Sequence, residues 1–292
     1  MTDTIRIQGR NLSRQDLQFI RQLIDENPLM SRRKLSIALC EAWDWRNARG
    51  MLKDMASRSL MLKLHERGEI RLPERKQKPS NKMVSRKIQA VDHSTETINQ
   101  PLKTLTPVRI IKIQAKCPEE ALYNHFLSAY HYLSYKSTVG ENMKYLVLDN
   151  QDRPLACLLF GSSAWSCAAR DVHLAWSPSE RQRNINYTTN NTRFLILPWV
   201  KVPHLASHLL GKISRQIQSD WQARYGHSIH LLETFVDQSR YQGTCYKAAN
   251  WLQVGETQGR SRNDKNHTLS VPIKSVLLYP LSKKYKTLLS TE

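Results

Sequence analysis

The segment LLETFVD, residues 231–237, carries two carboxylates whose spacing allows a chemical role. Side chains alternate along a β-strand, so Glu233 and Asp237 lie on the same face. Four residues of strand span roughly 13 Å, which is too far for both groups to bind one metal ion, and no metal site is predicted. Each is a candidate to act with a neighbouring group such as Asp171, and Glu233 is a candidate general base. The structural alternative makes Glu233 the buried partner of an arginine and Asp237 the cap of the following turn.

Two other segments carry groups that are suited to proton transfer or nucleophilic chemistry. In RDVHLAWS, residues 170–177, a strand would place Asp171 and His173 on one face as a proton-transfer pair. The favoured alternative there is the polar face of an edge strand. Cys245 stands at the start of a predicted helix, where the helix dipole lowers a thiol pKa by stabilising the thiolate. Packing of a small side chain is the favoured alternative for Cys245.

The charge of the chain indicates a polyanionic partner. Its 292 residues contain 44 Lys plus Arg against 25 Asp plus Glu, which gives a formal net charge of +19. Phosphate contacts release counterions from nucleic acid, so such an excess favours nucleic acid, with DNA preferred to RNA. An anionic membrane is the rival partner, but the chain has no long basic amphipathic helix with exposed aromatic residues. The alternative for each basic residue is a solvated surface charge. The candidates for nucleic-acid binding are Arg46, Arg49, Lys53, Arg58, Arg181, Arg183, Arg260 and Arg262.

Residues 1–73 have the pattern of a small helical domain. Apolar residues at helical spacing predict helices over 15–27, after Ser31 and from about 47 through 64, with Asn11 or Ser13 and then Ser31 as caps. The segment GEIRLP, residues 68–73, predicts a short strand. Three helices followed by such a wing are typical of a winged helix, whose third helix enters the DNA groove. In this interpretation the third helix carries Arg46, Arg49, Lys53 and Arg58.

The rest of the chain divides into a linker and an α/β domain. Residues 74–107 are basic, polar and interrupted by proline, which predicts a flexible linker. Residues 108–292 predict a mixed sheet with a hairpin from KYLVLD and PLACLLFGSSAW, further strands in RDVHLAWS, TRFLILPWV and IHLLETFVD, and a helix over 206–225. In GETQGRSRND, glycines predict a turn whose Arg260 and Arg262 bind phosphate. Glycine-rich phosphate loops are absent from the sequence, so the cofactor is left unknown.

The order of elements, a meander followed by strand, helix, strand and helix, resembles the acyltransferase fold of the GNAT superfamily. The segment YKAANW, residues 246–251, followed by Gly255, is similar to the GNAT helix in which a tyrosine stands five residues before an aromatic residue. This resemblance implies that Tyr246 is a general acid; packing beside the sheet is the alternative. GNAT enzymes hold the coenzyme A pyrophosphate with a glycine-rich loop after the central strand. Here that position has the sequence VKVPHLAS, residues 200–207, which departs from the pattern.

At the level of the whole chain, several long segments resemble the DruA family (DUF4338). They are SRRKLS, CEAWDW, MLKDMASRSLMLKLHERGEIRLP, RDVHLAWSPSERQRNI, NTRFLILPWVKVPHLASHLLG and LLETFVDQSRYQGTCYKAANWLQVGETQGR. Members of that family occur in Druantia anti-phage defence systems, and similar proteins occur in mobile elements. The resemblance implies a DNA-associated defence component that binds DNA and either modifies or processes it. The alternatives are a transposase-like or nuclease protein of a mobile element, or a DNA-binding adaptor without enzymatic activity.

The N-terminal sequence and the cysteines bear on the compartment. MTDTIRIQGR lacks the apolar run of a signal peptide, and no stretch of the sequence reaches the length of about 18 apolar residues needed to span a membrane. Five scattered cysteines, without CxxC spacing, do not indicate a disulfide framework. We therefore expect a cytoplasmic protein with no membrane partner, which interacts with nucleic acid and with other proteins of a defence system.

Overall fold

The structure is a computed structural model, and it describes residues 5–7, 10–46, 50–75, 88–259 and 271–290. The chain forms two compact units, Met1–Asn81 and Lys82–Glu292. The first contains three helices and a pair of short strands, and the second contains a seven-stranded mixed sheet with helices. The predicted fold class, a helical N-terminal part followed by a mixed α/β part, is confirmed.

Local capping and apolar spacing account for the helices of the N-terminal unit. The Ser13 hydroxyl accepts a hydrogen bond from the Asp16 amide, and the Asp16 carboxylate accepts one from the Ser13 amide, which is a capping box. Ser31 caps the next helix through the Lys34 amide. The core includes Ile20, Leu35, Leu39, Leu60 and Leu64. The elements are β1 (Ile5–Ile7), β2 (Arg10–Leu12), α1 (Arg14–Asp25), α2 (Arg32–Ala42) and α3 (Asp54–Glu66).

The third helix begins later than the sequence predicts. It starts at Asp54 with Lys53 as the residue before its first turn, and Arg46 lies in a short bridge ahead of it. Gly50 has a φ of 74°, a left-handed conformation that interrupts a helix, so the predicted start near residue 47 is wrong. Arg46 donates hydrogen bonds to Asp44 and to the Gly50 carbonyl. Arg46 and Lys53 are therefore not residues of a recognition helix.

The strand predicted at 68–73 is not formed. Residues 69–75 have no regular secondary structure, but Ile70 and Leu72 are buried in the core of the helical unit. Apolar and polar residues alternate here because Ile70 and Leu72 are buried against the helices; the segment does not pair with another strand. The β-structure of this unit lies at its other end, where β1 pairs antiparallel with β2.

The α/β unit is built on one sheet with the strand order β3-β4-β5-β6-β7-β9-β8. All neighbouring strands are antiparallel except β6 and β7. A meander through β6, the long crossover helix α7 and the parallel strand β7 reproduce the order that the GNAT resemblance implies. The elements are β3 (Arg109–Lys112), α4 (Pro118–Tyr130), β4 (Met143–Leu148), β5 (Pro154–Ser162), α5 (Ala168–His173), α6 (Pro178–Asn184), β6 (Thr188–Ile196), α7 (Leu205–Tyr225), β7 (Leu231–Asp237), α8 (Thr244–Ala248), β8 (Leu252–Glu256), β9 (Lys274–Pro280) and α9 (Tyr285–Leu288).

Helices cover both faces of the central part of the sheet, which explains the uninterrupted apolar sequence of β5. On one face, α4 and α7 bury Phe126, Leu209 and Ile213 with the sheet in the larger core. On the other face, a smaller core contains Leu174, Leu231 and residues of β9. Strand β5 is buried from its second through its eighth residue, as expected for a strand packed on both sides.

Much of the predicted linker belongs to the α/β unit. Ile98 is 4% and Leu105 0% exposed, and both lie in the larger core. The Ile98 amide donates to the Trp199 carbonyl at 3.0 Å, and the Lys201 amide donates to the Ile98 carbonyl at 2.8 Å. The prediction of a flexible linker is therefore wrong for 88–107, because widely spaced apolar residues anchor a mostly polar segment. The residues 76–87 of the predicted linker lie outside the described residues.

One strand prediction and one turn prediction in the α/β unit also need correction. The segment predicted as the strand RDVHLAWS forms α5, and a turn follows it. A short segment of mixed polarity fits both the helical and the strand period, so the sequence pattern does not distinguish the two. In the structure, Arg170 is directed into the interior, where it binds the carboxylate of Glu233. The predicted turn around Gly255 is part of β8, where Gly255 stands at a register shift opposite β9.

Candidate functional site

The two parallel strands of the sheet separate to form a cleft. β6 and β7 pair only from Thr188 to Asn190, although both strands continue beyond that point. Where β6 pairs with β5, Thr192 has no partner residue and forms a β-bulge. A bulge bends its strand, and this one lies where the pairing of β6 with β7 stops. The resulting cavity has a volume of about 460 Å³ and is lined by β6, β7, the end of α4 and the start of α8. That volume lies in the range of about 300–1,000 Å³ that is typical of small-ligand pockets.

Polar side chains from three elements are hydrogen-bonded in this cleft. The Tyr246 hydroxyl of α8 donates to Asn191 Oδ1 of β6 at 2.6 Å. The Thr234 hydroxyl of β7 donates to the Asn191 carbonyl at 3.1 Å. Asn191 Nδ2 in turn donates to the carbonyls of Leu159 and Arg193 at 3.2 and 3.1 Å. The diverging strands are thus tied by neutral groups, whose donors and acceptors border the cavity.

Aromatic side chains and one arginine stand at the edge of the cleft. The rings of His131 and Tyr132 stack at 4.9 Å, and Tyr132 meets Tyr241 edge-on at 5.6 Å. The Arg240 guanidinium lies 5.3 Å from the centre of the Tyr132 ring. Tyr132 is 37% and Tyr241 52% exposed, so both rings present surface to a ligand.

Three titratable groups that line the cleft, His131, Cys245 and Tyr246, are held in neutral forms. Burial, helped by the Arg193 charge, lowers the pKa of His131 to about 4. The Leu133 amide donates to His131 Nδ1 at 3.1 Å, which assigns the ring proton to Nε2. Burial raises the pKa of the Tyr246 hydroxyl and also that of the Cys245 thiol. The expectation of a lowered Cys245 pKa is wrong. The cost of burying the thiolate exceeds the stabilisation that the amides at the start of this five-residue helix provide.

Glu233 lies away from the cleft, in a sealed ion pair. Its side chain and that of Arg170 are both 0% exposed, and Arg170 Nη1 donates to Glu233 Oε2 at 2.8 Å. The Ala164 amide donates to the other carboxylate oxygen at 2.7 Å. Burial raises the pKa of Glu233, and Arg170 opposes that rise. Glu233 is therefore the buried partner of an arginine, and a ligand in the cleft does not reach it.

Asp171 extends the same network on α5. Arg170 donates to Asp171 Oδ1 through Nε and Nη2 at 3.0 and 2.8 Å, and Arg181 Nη1 donates to Asp171 Oδ2 at 2.9 Å. Burial alone would lower the pKa of Arg170, but the carboxylates of Glu233 and Asp171 raise it. Asp171 does not form the predicted pair with His173, which instead lies 2.7 Å from the Tyr285 hydroxyl. Two of the predicted catalytic carboxylates are thus brought together, but as parts of a buried charge network.

Asp237 and Tyr246 are the predicted catalytic residues that line the cleft. Asp237 Oδ1 accepts hydrogen bonds from the Ser239 amide at 3.0 Å and from its hydroxyl at 2.6 Å, which caps the turn after β7. The Ser239 hydrogen bonds lower the pKa of Asp237. Asp237 therefore caps the turn after β7, as the structural alternative to a catalytic role predicted. Its position is on the wall of the cleft.

The candidates for nucleic-acid contact that the structure describes have different surroundings within their own units. Arg58 is the one candidate that lies on α3, where it pairs with Asp54 at 3.0 Å. Arg181 is tied to Asp171, whereas Arg183 is exposed on α6. Arg49, Arg260 and Arg262 lie outside the described residues.

Sequence reasoning missed three residues that organise these sites. Arg170 was read only as a neighbour of Asp171, and its partner stands 63 positions away. Asn191 lies within the polar run TTNNTR at the start of β6, and Thr234 is a polar residue in the middle of β7, a signal that could have marked the strand separation. Among the described residues, no group of three or more His, Cys, Asp or Glu side chains is placed to hold a metal ion.

The residues after β6 do not fit the coenzyme A grip that the GNAT resemblance implies. Pro198 and Pro203 have no amide hydrogen, and the Lys201 amide already donates to the Ile98 carbonyl. The Val200 amide donates to the Leu197 carbonyl at 2.9 Å. Amides engaged in this way are not available to a pyrophosphate group.

Comparison with solved structures finds acetyltransferases of low similarity. A spermidine N-acetyltransferase from Vibrio cholerae, in complex with coenzyme A and spermine, has 8% identity and a TM-score of 0.41 over 61% of this chain and 97% of that one. The spermidine/spermine N-acetyltransferase SpeG from the same organism, with manganese ions, has 9% identity and a TM-score of 0.37 over 62% and 96%. We transfer no ligand from these proteins.

The family comparison is more extensive. The search of curated proteins gives no match. Within the described ranges, every helix is too short or too polar to cross a membrane. The model of one protein family, described as Druantia protein DruA, matches residues 57–289, from α3 through α9 and well over half of the chain. This match agrees with the resemblance of the long sequence segments, and the chain belongs to the DruA family.

Proposed function

We propose that this chain is a cytoplasmic, DNA-binding component of Druantia-type defence, and that its cleft between β6 and β7 receives an unpaired base. Family membership supports the defence role, because Druantia is an anti-phage system. The DNA-binding role is supported by the formal net charge of +19. A base that leaves a DNA strand needs both a stacking surface and hydrogen-bonding groups, and the cleft offers both.

The aromatic edge of the cleft is the observation that carries this proposal. Tyr132 and Tyr241 are exposed, meet edge-on and stand next to Arg240. Aromatic rings beside an arginine are the usual means by which proteins hold unpaired bases. Isolated exposed aromatics need no explanation, but here two of them border a cavity.

The interior of the cleft complements an uncharged polar ring. Asn191, Thr234 and Tyr246 supply amide and hydroxyl groups, and His131 is neutral near pH 7. Such groups can exchange their mutual hydrogen bonds for bonds to the edge of a base. A strongly charged ligand would find no fixed opposite charge among these four side chains.

In the surrounding unit, ion pairs engage carboxylates that would otherwise repel phosphates. Asp149 pairs with Arg153 and Asp220 pairs with Lys112. We propose that exposed cations of the α/β unit, the helical unit and the basic segment between them contact phosphates. These contacts would position the DNA, while the cleft holds the base.

We expect the double substitution Tyr132→Ala and Tyr241→Ala to weaken single-stranded DNA binding at least tenfold. Stacking of one base on an aromatic side chain contributes about 1–3 kcal/mol. Fluorescence anisotropy with a short labelled thymidine oligonucleotide, at about 50 and 200 mM salt, measures this loss. The variant should keep the salt dependence of the wild type, because it retains the phosphate-binding cations.

Trp165→Ala is the matched control, since Trp165 is 54% exposed and is not part of the cleft lining. We expect it to bind single-stranded DNA as the wild type does. Equal affinities for the double variant and the wild type would remove the base-binding role of the cleft. An affinity that did not change with salt would contradict DNA binding through phosphates.

A second candidate function is group transfer to DNA, with Tyr246 as the proton donor. Its hydroxyl is protonated at neutral pH and borders the cleft. Tyr246→Phe keeps the ring and removes that proton. In this interpretation the variant loses protection against phage, whereas its DNA affinity falls by no more than about tenfold, the effect of one neutral hydrogen bond. Both are measured on the full chain, protection by plaque counts in cells carrying the complete defence system.

Tyr123→Phe is the control for a buried hydroxyl, because the Tyr123 hydroxyl donates to the Leu158 carbonyl at 2.9 Å, away from the cleft lining. It should retain full protection. Full protection by Tyr246→Phe would leave the adaptor interpretation, in which the protein binds DNA without chemistry.

A further inference from the structure

A second pocket of the α/β unit lies at the opposite end of β7 from the cleft. The end of α6, the turn before β6 and the loop between α7 and β7 form it, and its volume is about 600 Å³. Its lining shares no residue with that of the cleft. Its lining includes the side chains of Arg183, Asn184, Tyr187, His227 and His230.

Asn184 brings an unsatisfied donor to this pocket. The side chain is 4% exposed, and its Nδ2 has no hydrogen-bond partner among the described residues. A buried amide without an acceptor is unfavourable, and native proteins seldom retain one without a reason. Nδ2 is itself buried, so an oxygen-rich ligand in the pocket would supply the missing acceptor once the Asn184 side chain turns its amide toward the opening.

The charge around the pocket favours an anion. Arg183 is exposed, and the lining contains no Asp or Glu. The nearest acidic side chain on the same helix, Glu180, accepts hydrogen bonds from Ser177 in a capping box. Glu141 is likewise engaged, at 2.9 Å from His227 Nε2.

A lysine-rich segment adds to this positive charge. Lys283, Lys284 and Lys286 are exposed, and they lie just before Leu288, which is itself part of the lining. The Leu281 amide donates to the His230 carbonyl at 3.0 Å, which holds the start of this segment against the pocket. Three lysines therefore lie within five residues of the lining residue Leu288 in the sequence.

The rings of Tyr187 and His230 form one wall, with their centres 5.8 Å apart. Together with Arg183 and the Asn184 amide, this wall combines a flat surface with directed donors. Guanidinium and amide donors at an opening without carboxylates are suited to phosphate oxygens.

We propose that this pocket binds a phosphate group through Arg183 and Asn184. The phosphate belongs either to a nucleic-acid strand or to a free nucleotide, since both present the same oxygens. The site is independent of the cleft, so it does not rest on base binding between β6 and β7.

The test compares Arg183→Gln with Arg215→Gln in the full chain. Arg215 is an exposed arginine of α7 that is not part of the pocket lining, so both variants lose one surface charge. Isothermal titration with thymidine monophosphate and with a short thymidine oligonucleotide measures binding. Loss of one charge-assisted hydrogen bond corresponds to a decrease in binding affinity of about tenfold or more.

We expect Arg183→Gln to bind at least one of these ligands about tenfold more weakly than Arg215→Gln. A loss for the monophosphate identifies a nucleotide site, and a loss for the oligonucleotide alone identifies a strand phosphate. Asn184→Asp, checked for folding by its thermal melting curve, should show the same loss because a carboxylate repels phosphate.

Equal affinities of Arg183→Gln and Arg215→Gln for both ligands would overturn the proposal. The substitutions at Tyr132 and Tyr241 distinguish this site from the cleft. They should leave binding of the monophosphate to the second pocket unchanged, whatever they do to the oligonucleotide.

Discussion

Arg170→Met is expected to lower the free energy of unfolding of the α/β unit by about 3–5 kcal/mol. The substitution removes the partner of a carboxylate that is 0% exposed, and it leaves Glu233 with a buried, uncompensated charge. It also removes two hydrogen bonds to Asp171 and one to the Ala164 carbonyl. Urea unfolding at pH 7, followed by the fluorescence of the tryptophans, measures the loss.

Two variants show whether the loss comes from burial of an unpaired charge. Replacing both partners, Arg170→Met with Glu233→Met, should recover part of the stability, because an apolar pair of similar size avoids the desolvation of charge. Arg58→Met breaks the exposed pair with Asp54 and should lower stability by less than about 1 kcal/mol. A loss below about 1 kcal/mol for Arg170→Met would contradict a structural role for the buried pair.

The second large effect that we expect is a dependence of the free energy of unfolding on pH, which comes from His131. Burial lowers its pKa from 6.5 to about 4 in the folded protein. Between these values the unfolded chain binds a proton that the folded chain does not, so stability falls as pH decreases from about 6.5 to 4. At pH 4.5 we expect this group to reduce the free energy of unfolding by about 2 kcal/mol relative to pH 7.

The substitution His131→Asn isolates this effect, because the asparagine oxygen can accept the hydrogen bond from the Leu133 amide but does not titrate. Urea unfolding of both proteins at pH 7 and pH 4.5 gives the difference. The pKa values of His125, His173, His208 and His230 are also lowered, but they change both proteins equally. An identical loss of stability for the two proteins would show that His131 is not held neutral in the cleft.

The sequence analysis placed Glu233 and Tyr246 in one catalytic site, whereas these two predictions concern two separate places in the α/β unit. The network of Glu233, Arg170 and Asp171 stabilises the attachment of α5 to β7. The cleft is a different place, where His131 and Tyr246 are held in neutral forms. A substitution at Glu233 therefore tests folding, and a substitution at Tyr246 tests function.

The local signals of the sequence were sufficient for many of the elements. Ser13 and Ser31 cap their helices as predicted, because a hydroxyl three residues from an amide needs no distant partner. The uninterrupted apolar segment PLACLLFG became the buried strand β5, the segment LLETFVD formed β7, and the apolar period predicted the long helix α7. Family membership also follows from the sequence, since long segments rich in rare residues carry it.

Only the tertiary structure decided the identity of the sites. Arg170 and Glu233 are 63 positions apart, and Tyr246 and Asn191 are 55 apart, so no local pattern relates them. The first four residues of RDVHLAWS belong to helix α5, where Arg170 binds inward to Glu233, although the short alternation of the segment also fits a strand. The sequence determined which segments are buried, since apolar spacing acts locally. The choice of buried partners and the separation of β6 from β7 depend on packing among distant segments, which a single sequence does not specify.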